Sequence, residues 1–219
     1  MAFIVAIDGP ASSGKGAITE IIAKKLNLKK IDTGIMYRCI TLEAIEHNLT
    51  EKDQKEILEL LNKTDIVMNE NKVLLNGNDV TEKIRTKEVN ELVSQISAIK
   101  ELRYKMVEWQ RKMAEGKDII MEGRDIGTVV FPDANVKIYL DADVEVRAIR
   151  RYKQNLEKNI NTCFEEVLEN IRKRDKIDKE KEYGALKIAD DAIVVDTTNL
   201  DIEQTVKKVL EIIMNKQGE

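Results

Sequence analysis

The sequence predicts an α/β fold, a parallel sheet flanked by helices, and three observations carry that reading. Short, nearly continuous apolar runs end at acidic or glycine residues, helix-period segments follow them, and the first run enters its helix through a glycine-rich turn. Phe3 to Ile7 is the first run and stops at Asp8-Gly9-Pro10, as a strand buried in a parallel sheet does. From Ala17 onward, Ile18, Ile21, Ile22 and Leu26 recur at helical spacing, so the stretch between is a βα turn. Asp118 to Met121 ends at Glu122-Gly123, Val136 to Leu140 at Asp141, and Ala192 to Val195 at Asp196-Thr197-Thr198. Val144 to Leu156 and Ile202 to Ile213 supply helices behind the last two, the second opened by Asp201 and Gln204 in a capping-box arrangement.

The middle of the chain differs. Asp65 to Asn71 and Lys72 to Asn76 read as short strands, with Asn76-Gly77 supplying turn chemistry, and Thr86 to Ala114 is largely helical. This is a small αβ insert between the first βα unit and the rest of the sheet. Two prolines, Pro10 and Pro132, punctuate the chain, so no Pro-rich linker separates independent domains.

Composition bounds the function. A chain of 219 residues exceeds the roughly 150 of an average domain and falls short of two, which suits one body with a lid or insert. Hydrophobic residues make up 42% and aromatics 4%, so Ile, Leu and Val must fill the core. Thirty-six Lys and Arg against 40 Asp and Glu leave a net charge of −4, which argues against nucleic acid or an anionic membrane as partner and for a small polyanion. Cys39 and Cys163 form no CxxC pair, and a single histidine, His47, cannot anchor an ordinary zinc site or a Ser-His-Asp triad. The start, MAFIVAIDGP, lacks a basic segment and a membrane-length apolar run, so a cytoplasmic, reduced protein is expected.

Gly9-Pro10-Ala11-Ser12-Ser13-Gly14-Lys15 matches the G-x-x-x-x-G-K core of the P-loop between a buried strand and a helix. Glycines let successive amides face phosphate oxygens, the helix start presents its positive dipole end, and the Lys15 ammonium reaches the outer phosphates. Gly16 and Ala17 stand where GTPases and most ATPases carry the Mg²⁺-binding hydroxyl. Asn62-Lys63-Thr64-Asp65 spells a guanine-reading NKxD, but it follows the helix-period residues Ile57, Leu58 and Leu61 instead of a strand, and a helix end accounts for it better.

GKG in place of GK[ST] is the form found in nucleoside monophosphate kinases. With IDTGIMYR (31–38), LNGNDVTEKIRTKEV (75–89), VSQISA (93–98), EGRDIGTVVFPDANVKIYLDA (122–142) and IRKRDKID (171–178), the chain resembles a bacterial-type cytidylate kinase over nearly its whole length. The resemblance implies a P-loop nucleotide kinase core from residues 1–36, 116–146 and 185–219, an αβ NMP-binding insert at 37–115 and a helical lid at 147–184. It implies ATP as donor, held by residues 9–17, from Gly9 through Pro10, Ala11, Ser12, Ser13, Gly14, Lys15 and Gly16 to Ala17, and CMP, with dCMP beside it, as acceptor.

The same resemblance assigns roles. Asp125 reads the exocyclic amine of cytosine, which uracil replaces with an oxygen, and Ser94 and Arg103 donate to the ring. Asp178 accepts from ribose hydroxyls with Arg174 alongside, and Arg38 and Arg124 clamp the acceptor phosphate, near Thr33, as planar guanidinium groups do well. Where the family's third phosphate-binding arginine is expected this chain has Lys181, and Ala185-Leu186 replaces Pro-Leu, so the fork is lost while the charge is kept. Taken without the motif, each of these Arg and Asp residues reads as a surface ion pair.

The implied reaction is ATP + CMP → ADP + CDP. The attacking oxygen is already ionised, so no general base is needed and catalysis rests on alignment and charge neutralisation. Lys15 and Arg124, with Arg150, Arg151 and Arg147, are the catalytic candidates; residues 147–181 carry eleven Lys or Arg against seven Asp or Glu. From composition alone an exposed charged helix pair is the better account of that balance, and the adjacent Arg150-Arg151 at the start of the lid tips the reading toward function. Mg²⁺ is expected to travel with ATP without a direct protein ligand, with Asp8 or Glu122 orienting its waters, though Glu122 can also be a structural cap. The Thr197-Thr198-Asn199 loop is the expected rest for adenine. The partners expected are these small molecules alone, bound by a monomer. A P-loop kinase of UMP/CMP, AMP or a small metabolite, and a non-catalytic nucleotide-binding module, remain the alternatives.

Overall fold

The computed structural model describes residues 2–69, 72–158 and 160–217. In chain order the elements are β1 (Ile4–Asp8), α1 (Lys15–Leu26), β2 (Lys29–Asp32), α2 (Thr33–Glu46), α3 (Gln54–Leu61), β3 (Ile66–Met68), β4 (Val73–Leu75), β5 (Asn78–Asp79), α4 (Lys87–Ile96), α5 (Lys100–Ala114), β6 (Ile119–Gly123), β7 (Val136–Asp141), α6 (Val144–Glu157), α7 (Phe164–Glu180), β8 (Ile193–Asp196) and α8 (Ile202–Gln217). They fall into two compact units, Met1–Ile31 with Arg111–Glu219, and Asp32–Gln110. Among the described residues no helix is long and apolar enough to cross a membrane.

The first unit is organised by a five-stranded sheet in the order β2-β6-β1-β7-β8. The apolar run of β1 lies at its centre because both faces are covered, and it pairs in parallel with β6 (Val5 beside Ile120) and with β7 (Val5 beside Val136). Parallel pairing brings the ends of these three strands to one edge, so Asp8, Gly123 and Tyr139 lie in register where the phosphate-loop sequence begins. On one face, Ile18 and Ile22 of α1 and Val206, Val209 and Ile213 of α8 pack against Ile7, Ile138, Leu140 and Val195, which is why those helices repeat apolar residues every three or four positions. Asp201 and Gln204 close the expected capping box, each side chain accepting from the other's amide at 2.7 and 3.1 Å. Helices α6 and α7 pack together through Ala148, Val167 and Ile171, with Tyr152 edge-on to Phe164.

One strand departs from expectation. Apolar β8 is an edge strand with Ile193 and Val194 exposed and Val195 alone covered, so its continuous apolar run does not mark two buried faces.

The second unit holds the antiparallel sheet β3-β4-β5. The predicted strands are shorter here, Ile66–Met68 and Val73–Leu75, and residues 70 and 71 of the first lie outside the described residues. Asn76 and Gly77 both take positive φ (51° and 82°) between β4 and β5, the geometry that suits a two-residue hairpin. Cys39 and Leu42 of α2 join Val73, Leu75, Val80, Ile84 and Val89 in this unit's core. The helical run expected from Thr86 to Ala114 is interrupted after Ile96, where the Ser97 amide donates back to Val93 O, giving α4 and α5. Asn62 caps the C-terminus of α3 and Thr64 is buried with its hydroxyl on the Glu43 carboxylate, so the NKxD look-alike serves a helix end.

Candidate active site

The glycine-rich loop leaves β1 under tight constraint. Gly9 (φ +152°) passes so close to β7 that a Cβ there would lie 2.1 Å from the Leu140 carbonyl oxygen. Ser12 and Gly14 both adopt left-handed backbone, and Gly14 stands at the N-cap of α1 with no side chain to occupy the first amides of the helix. Those amides and the dipole behind them are what an anion binds. Lys15, the first residue of α1, turns its ammonium into the loop and donates to Gly9 O (2.7 Å), Pro10 O (2.8 Å) and Ser13 Oγ (3.2 Å). Burial, reinforced by the nearby Arg124 charge, brings the Lys15 pKa down to about 7.

Two acidic residues at strand ends flank the loop. Glu122 is buried and accepts from the Thr19 hydroxyl at 2.7 Å, with Lys30 Nζ 3.6 Å away. A Cβ built on Gly16 would sit 3.7 and 3.8 Å from its two carboxylate oxygens, so the carboxylate faces the start of α1 across a glycine. Asp8 is arranged differently. One oxygen accepts from the Ile126 amide and the other from the Gly127 amide, each at 2.8 Å. Burial raises its pKa to about 6 even though both amides oppose the shift.

Beyond the loop, the first unit collects cations around a further buried carboxylate. Asp178 of α7 takes the Arg124 Nε–H at 2.8 Å and has Lys181 Nζ at 3.5 Å from its other oxygen. Burial alone would raise Asp178, but the charges of Arg124, Lys181 and Arg174 override it and hold the carboxyl at about 2. Arg174, desolvated and beside Arg124, falls to about 10. The backbone after α7 is tied back by Leu186 N to Asp178 O (2.7 Å), so Ala185-Leu186 keeps the turn without proline.

The lid candidates separate by environment. Arg147 is buried, paired with Asp175 at 2.7 Å, and donates to the P-loop carbonyl of Ala11 at 3.1 Å. Arg150 donates to Thr197 Oγ1 (3.0 Å), Thr197 O (2.6 Å) and Leu200 O (3.3 Å), gripping the loop after β8 where adenine was expected. Arg151 donates to Gln154 Oε1 at 2.9 Å within α6. The second unit carries the remaining residues. Thr33 and Ser94 are buried, Arg38 donates to Ile84 O at 2.9 Å, and Arg103, only 2% exposed, donates to Ser97 O at 3.0 Å with its guanidinium 5.2 Å from the Tyr37 ring centre. Asp175 and Thr19 belong to this apparatus and sequence reasoning passed over both. Thr19 follows Lys15 by one helical turn, a signal that was available; Asp175 stands amid a charged run that conceals it.

A phosphate loop at the carboxyl edge of a parallel sheet, backed by buried arginines, defines a P-loop kinase. The chain matches the family described as Cytidylate kinase over residues 5–215. A cytidylate kinase of Carboxydothermus hydrogenoformans is 48% identical over 97% of both chains, one of Fusobacterium nucleatum 50% over 93% of both, and one of Bacillus subtilis 44% over 97% of this chain and 96% of that one. The chain belongs to the cytidylate kinase family. Solved structures agree on the fold: an uncharacterised protein of Eubacterium ventriosum (14% identical, 98% and 99% of the two chains covered, TM-score 0.55) and a gluconokinase of Sinorhizobium meliloti (8%, 97% and 92%, TM-score 0.54).

Proposed function

We propose that this protein transfers the γ-phosphoryl group of ATP to CMP, and to dCMP as second acceptor, yielding ADP and CDP or dCDP. The observation that carries the reading is the match to the cytidylate kinase family from residue 5 to residue 215. An oxygen of the CMP phosphate attacks the γ-phosphorus, and the bond to the bridging oxygen breaks as ADP departs with the negative charge. No proton must be removed, so the residues act by position and charge. Residues 9–17 cradle the donor phosphates, with the Lys15 ammonium at the outer ones. Arg38 and Arg124 hold the acceptor phosphate, with Lys181 adding charge, while Arg147, Arg150 and Arg151 serve the donor side. Asp125 accepts from the cytosine amine with Ser94 and Arg103 on the ring, and Asp178 and Arg174 meet the ribose.

Glu122, fixed by Thr19, faces the start of α1 across Gly16, a carboxylate suited to Mg²⁺ carried by nucleotide and water. Bound there, the ion would neutralise phosphate charge, with Glu122 orienting its waters. Coupled ADP release with ATP and a panel of CMP, dCMP, UMP, AMP and GMP tests the reading. Release that depends on CMP and dCMP is expected; no acceptor dependence would sink it, and preference for AMP or a non-nucleotide would move it to another kinase.

A further inference from the structure

The GRDIG stretch holds more than its arginine and aspartate. After Asp125 the backbone makes a π-helical turn, Ile126–Val130, in which the amides of Val129 and Val130 both point back at Asp125 O. The two amides that open this turn, Ile126 and Gly127, are taken by the two oxygens of Asp8, 118 and 119 residues earlier in the chain. Asp8 sits at the end of the central strand, paired with Gly123 of β6 on one side and Tyr139 of β7 on the other. Gly127 is crowded by Asp8 and Lys137 together: a Cβ there would meet Lys137 Cδ at 3.2 Å, Lys137 Cγ at 3.3 Å and Asp8 Oδ2 at 3.5 Å. Lys137 is itself fixed, its ammonium paired with Asp191 at 2.8 Å and bonded to Pro132 O. The backbone following Asp125 is therefore held by both oxygens of Asp8 and packed against the Lys137 side chain, and carboxylate-to-amide bonds of this kind are among the strong ones.

We propose that Asp8 is a positioning residue for cytosine recognition, its carboxylate fixing the Ile126 and Gly127 amides so that Asp125 is presented to the base in one orientation. The inference rests on the reading of Asp125 as the base-contacting carboxylate. Asp8 has a competing task to be separated from this one, since it is also a candidate to orient the waters of Mg²⁺ on the donor side and lies in the field of Lys15. Asp8→Asn keeps the size but offers one acceptor for two amides and turns an N–H toward the second.

The test compares Asp8→Asn, Asp125→Asn and the double variant in full-length enzyme. In Asp8→Asn, KM for CMP is expected to rise about tenfold and the CMP-over-UMP ratio of kcat/KM to fall about tenfold, with KM for ATP within about twofold of wild type. Hydrogen exchange should quicken in the peptide carrying the Ile126 and Gly127 amides and stay unchanged across α1. The double variant should discriminate no worse than Asp125→Asn. If Asp8→Asn does not fold, Gly127→Ala crowds the same contact, its methyl meeting Lys137 and the Asp8 carboxylate, and should lower the same ratio. Unchanged exchange at 126–127, a rise in KM for ATP with CMP discrimination intact, or additive losses in the double variant would each overturn the proposal while leaving the role of Asp125 standing. An unaltered CMP-over-UMP ratio in Asp125→Asn would instead overturn that role and this inference together.

Discussion

Arg124 donates its Nε–H to Asp178 Oδ2 at 2.8 Å in a setting where both side chains are largely withdrawn from water. A buried carboxylate flanked by Arg124, Arg174 and Lys181 has more positive neighbours than it needs, which suits a site awaiting a phosphate and costs stability if the carboxylate is removed. The folded value of Asp178, about 2, lies below its ordinary 3.8. Its stabilisation is therefore fully present above about pH 4 and lost as pH falls toward 2, amounting to about 2 kcal/mol. Urea unfolding of wild type and Asp178→Asn at pH 7 and pH 3 should show the variant less stable at pH 7 and the gap narrowing at pH 3. A gap that is constant with pH would contradict this assignment.

Lys15 links ATP binding to protons. Burial lowers its pKa to about 7, and donor phosphates favour the ammonium. Binding of ATP should then take up protons, more at pH 8 than at pH 6. Calorimetric titrations in buffers of differing ionisation enthalpy measure this directly, and Lys15→Met should abolish the uptake along with turnover.

Two glycines with positive φ should respond differently to alanine. At Gly9 the new methyl meets backbone oxygen at 2.1 Å, whereas at Gly77 (φ +82°) nothing lies within 4 Å. Gly77→Ala should cost about 1 kcal/mol from backbone conformation alone. Gly9→Ala adds a clash that only movement of β1 or β7 relieves, and should cost about 3 kcal/mol or more. Thermal unfolding ranks the pair, and a smaller loss at Gly9 would contradict the close approach of loop and sheet.

What could be read from the chain followed physical locality. Strands β1, β6 and β7 were legible because burial on both faces leaves continuous apolar runs, and the phosphate loop because its glycines and lysine are fixed in spacing. Strand β2 was not, since Lys29-Lys30-Ile31-Asp32 buries only Ile31 outright and shows no run. Helix α2 escaped for the opposite reason. Met36, Tyr37, Cys39, Ile40, Leu42 and Ala44 are all buried, so no polar face marks its period. The site showed the same limit: motif residues were visible one by one, while the hold of Asp8 on residues 126–127 and of Arg150 on the Thr197 loop joins positions 47 to 119 residues apart, for which a sequence carries no local sign.

The central claim is that Asp125 makes this kinase choose cytosine. Measuring kcat/KM for CMP and UMP in wild type and Asp125→Asn tests it most directly, because the amide can donate to the uracil oxygen where the carboxylate cannot. The wild-type enzyme should favour CMP by at least about a hundredfold, and Asp125→Asn should cut that preference by about tenfold or more while KM for ATP holds. Equal rates with CMP and UMP in the wild type, or an unaltered ratio in the variant, would contradict it.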